Sequence, residues 1–129
     1  MIKQEFNVEN YWKVIVYYDV DYNFFDSIYF ELKSLGVSKE TIDNVYKELV
    51  TFEAKAVTFN NYNKHTSVVL FNPHSSAEDY INSIVHEATH VMQAMLKVYH
   101  IKNTDESPAY TVGHLVMKMY EVFKSLVCN

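Results

Sequence analysis

Ser83-Ile-Val-His86-Glu87-Ala-Thr-His90-Val-Met-Gln93 sets the chemistry from which the rest of this sequence is best approached. It holds His86, Glu87 and His90 in the order H-E-x-x-H, inside a segment whose apolar spacing predicts a helix. Two residues four apart lie about 40° from each other around a helix, so both imidazoles leave the same face. That geometry suits two nitrogens converging on one Zn²⁺ at about 2.0–2.1 Å. Glu87 leaves the flank, where a carboxylate can reach metal-bound water instead of the metal.

Around this stretch the pattern extends in both directions. Ser75-Ser-Ala-Glu78 is a capping box that starts the helix. Ile81, Ile84, Val85, Ala88, Val91, Met92 and Met95 make it apolar nearly all round, which predicts that it is buried, with His86 and His90 buried in it. Core histidines satisfied by hydrogen bonds are the competing reading. A carboxylate buried between them is harder to satisfy that way.

Upstream, Ala56–Asn60 and Thr66–Phe71 read as two strands joined by the Asn-rich turn Asn61-Tyr-Asn-Lys-His65, which predicts a β-hairpin. His65 reads as a solvated turn residue. Trp12–Tyr18 is β-branched and aromatic, and reads as a further strand. Phe24, Phe25, Ile28, Leu32 and Leu35 follow at helical spacing, with Gly36 placed to end that helix in a left-handed cap. Ser38 can cap a second helix whose stripe is Ile42, Val45, Tyr46 and Leu49.

Residues 35–47 also have the outline of a DNA-binding helix-turn-helix. The exposed positions of the second helix, Lys39, Glu40, Asp43, Asn44, Lys47 and Glu48, are balanced in sign and lack arginine. This favours a plain helical hairpin packed on the sheet.

Downstream, His100–Thr104 reads as a turn and about Asp105 to Leu126 as a last helix, capped by Thr104 or Asp105 and tolerating Pro108 in its first turn. Glu106, Tyr110, Gly113, His114 and Met117 fall along one of its faces. A glycine inside a helix costs roughly 1 kcal/mol against alanine. Gly113 therefore predicts a close approach to the motif helix.

With 129 residues and 49% apolar composition, the chain reads as one domain with a real core. All eleven basic residues are lysine and the formal charge is −5, which argues against a nucleic-acid or anionic-membrane surface. The single cysteine, Cys128, cannot form an internal disulfide; there is no signal-peptide pattern and no apolar run of membrane-spanning length. The expectation is a soluble, cytoplasmic protein.

Glu106 lies sixteen residues after His90, on the next helix. H-E-x-x-H followed by such a glutamate resembles the gluzincin zinc metallopeptidases. The strands, hairpin, motif helix and glutamate helix over roughly residues 55–126 look like a minimal form of that core. The resemblance implies an α+β, zincin-like fold. It also implies a Zn²⁺ held by His86, His90 and Glu106, a catalytic Glu87, and a peptide or protein substrate. Glu78, Glu121 and Asp105 are other carboxylates that could be offered as the third ligand. Tyr110 and His114 are both candidates for stabilising the oxyanion. Glu106-Ser-Pro-Ala-Tyr110, with Gly113 soon after, is also similar to small H-E-x-x-H proteins coded by phages and prophages, which implies a virion-associated role or another protein partner. Two further readings stay open: a non-catalytic protein that keeps a zinc site for stability, and a helix-turn-helix protein with an accidental motif.

Overall fold

The computed structural model describes residues 1–9, 11–99 and 106–127, apart from the side chains of Glu106 and Val127. The expected turn at His100–Thr104, the cap at Thr104 or Asp105, and Cys128 lie outside the described residues.

Two strands rich in β-branched and aromatic residues form the middle of a sheet. They are β2 (Trp12–Tyr18) and β4 (Thr66–Phe71), paired in parallel with Lys13 opposite Thr66 and Tyr17 opposite Leu70. β1 (Ile2–Val8) lies antiparallel outside β2, and β3 (Ala56–Asn61) antiparallel outside β4. The order is β1-β2-β4-β3, a mixed sheet with β1 and β3 at opposite edges. The hairpin of β3 and β4 matches the sequence reading. β1 does not appear in it, because Ile2-Lys-Gln-Glu-Phe-Asn-Val8 is half polar, as a strand exposed at an edge is.

Side chains alternate across the sheet and feed two cores. Ile15, Tyr17, Val68 and Leu70 face α1 (Phe25–Ser34) and α2 (Lys39–Val50), meeting Ile28, Leu32, Leu35, Ile42, Val45 and Leu49. Val14, Val16, Tyr18, Val69 and Phe71 face α3 (Ala77–Tyr99) and α4 (Glu106–Val127). The fold is thus α+β, with a helical pair on each face of the sheet. α1 and α2, joined through residues 35–38, form the helical hairpin that packs on it.

Local chemistry fixes the helix ends. Gly36 has φ +95, and its N–H and that of Val37 reach back to the carbonyls of Lys33 and Leu32, closing α1 in the left-handed cap read from the sequence. Ser38 caps α2 by accepting from the Thr41 N–H. At α3 the cap sits one residue later than the capping box suggests: Ser76 Oγ accepts from the Asp79 N–H at 3.1 Å. Lys55 then pairs with Asp79 at 2.8 Å, which ties the start of β3 to the first turn of α3. That hydrogen bond holds the Asp79 carboxyl below its usual range.

Two helical expectations are corrected. α3 is not buried all round: Ile81 and Val85 are exposed, and so are His86 and His90, because the helix lies on a sheet with one side open to solvent. Gly113 does not touch α3. A Cβ added there would meet nothing within 4 Å, and Tyr110 and Met117 beside it are exposed. α4 instead turns Leu115, Met119 and Phe123 into the core. No helix among the described residues is long and apolar enough to cross a membrane.

Candidate metal and proton-transfer site

The site grows from the contact of α3 with the β3 edge. In β3, Ala56, Thr58 and Asn60 pair with Phe71, Val69 and Ser67, so they share the sheet face that α3 covers. Glu87 is the one acidic residue on the buried side of α3, with its side chain 7% exposed. Thr58 Oγ1 donates to Glu87 Oε1 at 2.9 Å. An ionised carboxylate can only accept, so the single hydroxyl proton of Thr58 is committed to it.

His86 and His90 project from the same flank of α3 and, unlike Glu87, into solvent, the His86 side chain being 68% exposed. Their Nε2 atoms are 3.2 Å apart and the rings stand edge to face at 78°. Glu87 Oε2 lies 3.8 Å from His86 Nε2. Two imidazole nitrogens at this separation have two uses. One can carry the proton and donate to the other, or both can present lone pairs to one cation. Ligands at about 2.0–2.1 Å and a tetrahedral angle are about 3.3–3.4 Å apart, so the observed separation of 3.2 Å is close to what the second use needs. Both rings are open to solvent, so an ion can enter.

No protein-family model, curated protein or solved structure matches this chain.

The structure brings together His86, Glu87 and His90. It does not bring Tyr110 or His114 to them. Those two lie on the outer side of α4, around an open groove with Ala109, Gly113 and Met117, and next to Val8 and Glu9 at the β1 edge. β1 and β3 are three strand spacings apart, about 14 Å.

Glu106 opens α4, and its side chain is outside the described residues. Its neighbour Ser107 lines a groove with Met95, Leu96 and Tyr99 of α3. Met95 and Tyr99 are five and nine residues on from His90, rises of roughly 7–8 Å and 13–14 Å. Among the described residues no group of three His, Cys, Asp or Glu side chains is placed to hold a metal ion. Of the other carboxylates considered, Glu78 and Glu121 are exposed on α3 and α4, and Asp105 is outside the described residues.

Thr58 is the partner of Glu87 that the sequence alone does not reveal. Strand alternation alone puts Thr58 on the face of Ala56 and Asn60, but only the register of β3 on β4 and the position of α3 aim it at Glu87.

Proposed function

We propose that this chain is a zinc-dependent hydrolase, and most specifically a peptidase, with its working groups where α3 meets the β3 edge. The observation that carries the reading is the His86–His90 pair, with Nε2 atoms 3.2 Å apart, beside a buried, hydrogen-bonded Glu87. His86 and His90 would hold the ion through Nε2. Bound there, zinc supplies Lewis acidity, polarising a carbonyl and bringing the pKa of water down towards about 7.

The remaining work belongs to the chain. Glu87 Oε2 accepts a proton from the attacking water while Oε1 stays held by Thr58. The water oxygen bonds to the carbonyl carbon, the C–N bond breaks, and Glu87 returns the proton to the leaving amine. β3 is paired only with β4 among the described residues, so an extended peptide can add to its other edge, beside Glu87.

Glu106 is the third ligand that the gluzincin resemblance implies. The His86–His90 pair without Glu106 would make a site with two protein ligands.

Metal titration tests the reading. Chain purified without chelator is expected to hold one zinc, which is lost to chelator and to either His86→Ala or His90→Ala. Equal zinc affinity in Glu106→Gln and the parent would leave a two-histidine site. A parent chain that takes up no zinc from excess Zn²⁺ removes the proposal.

A further inference from the structure

The hydrolase reading uses one oxygen of Glu87 and leaves open what keeps that carboxylate from becoming a ligand itself. Oε2 is 3.8 Å from His86 Nε2, so a modest rotation would bring the group against any ion held by the two imidazoles. An anion in a largely buried position needs partners, and a cation next to it is the strongest one available.

We infer that Thr58 is a positioning residue for Glu87. Its hydroxyl anchors Oε1, so that Oε2 stays free to take a proton and the carboxylate stays off the metal. This rests on the metal reading above and deepens it.

Three features make Thr58 suited to the task. It is β-branched, which restricts χ1. It is locked in the ladder opposite Val69, whose side chain is fully buried, so its backbone cannot follow Glu87 if the carboxylate turns. Its one proton has one acceptor, Glu87 Oε1, at 2.9 Å. The next residue on the same face, Asn60, is engaged elsewhere. Trp12 Nε1 donates to Ser67 Oγ at 2.8 Å, and Ser67 Oγ donates to Asn60 Oδ1. Thr58 is therefore the only β3 side chain with a bond to Glu87 among those described.

Co²⁺, whose visible spectrum reports coordination number, is the probe. Thr58→Val keeps the shape and removes the hydroxyl; Thr58→Ser keeps the hydroxyl. In Thr58→Val, Glu87 is expected to join the ion, tightening Co²⁺ binding about tenfold or more and changing the spectrum. Thr58→Ser is expected to match the parent. Thr58→Val/Glu87→Gln is expected to match Glu87→Gln, since no carboxylate is left to move. Melting curves of each variant establish that it is folded. If the parent binds Co²⁺ and Thr58→Val gives the parent spectrum and affinity, the positioning role is wrong while the metal site stands. If the folded parent binds no Co²⁺, the metal reading falls and this inference with it.

Discussion

A carboxylate set into the packed side of a helix is expensive unless something holds its charge. At Glu87 one oxygen is held by Thr58 and the other faces the histidine pair. Glu87→Gln tests what that arrangement is for. Glutamine keeps the size and can still accept from Thr58 through its carbonyl oxygen, but it cannot take a proton from water. The expected outcome is retained fold, retained zinc and a 10²–10⁴-fold loss of hydrolysis, read on a peptide the parent cleaves. Undiminished turnover would exclude Glu87 as the base, and lost zinc would make it a ligand. At this scale the sequence was partly legible. A spacing of four residues fixes that His86 and His90 share a face, whatever the fold. Their exposure was not legible, because an apolar pattern all round a helix does not say that Ile81 and Val85 stay in solvent. Thr58 was not legible at all, since its role depends on which residue of α3 crosses it.

Among the helices, α4 carries the clearest discrepancy between composition and packing. Gly113 sits inside a helix with nothing within 4 Å of where a Cβ would be. Alanine there should fit without strain and remove the entropic penalty of glycine, so Gly113→Ala is expected to stabilise the chain by about 0.5–1 kcal/mol in a denaturant titration. A loss of stability would mean that something packs closely on that face. Gly36 is the opposite case: φ +95 closes α1, and a side chain there is strained whatever the space. Both glycines were visible in the sequence, but only the one at a helix end could be interpreted, because a cap is a local property and a helix–helix approach is not. Elements whose signal is local, such as β2, β4, the β3–β4 turn and the Ser38 cap, were read with nearly their observed bounds. β1 leaves no such signal, because a solvent-facing edge strand carries little apolar alternation.

Taken as a whole, the molecule depends on a sheet whose two faces are sealed by different helix pairs, and tyrosines are built into both seals. Tyr17 lies in the α1–α2 core; burial and the hydrogen bond it donates to Glu31 push its hydroxyl from near 10 up to about 12. Burial pushes Tyr18 and Tyr80, in the α3–α4 core, higher still. A raised folded-state pKa gives stability that is fully present below an ordinary phenol's value and is lost as pH rises through the folded one. Stability is therefore expected to hold to about pH 10 and to fall progressively above it, the share from Tyr17 being lost by about pH 12. Phenolate absorbance followed with circular dichroism checks this: these tyrosines should ionise together with loss of secondary structure. A complete phenolate titration near pH 10 in a chain with unchanged dichroism would contradict it. Strands packed with helices were legible as an α+β chain. The parallel pairing of β2 with β4 was not, because no local pattern records which strand a crossover returns to.

That pairing also sets an order of assembly. β2 is synthesised before its partner in the middle of the sheet, which follows only after α1, α2 and β3, and the helices over its second face come later still. At about 5–20 residues per second, Val14, Val16 and Tyr18 leave the ribosome seconds before anything exists to cover them. β1 can fold onto β2 at once as a hairpin and protect one edge, while Gln4, which bonds to the Lys118 carbonyl in the finished protein, waits for α4. Until α3 and α4 follow, that apolar face of β2 has no partner in the chain, so it is a surface open to misassembly during synthesis.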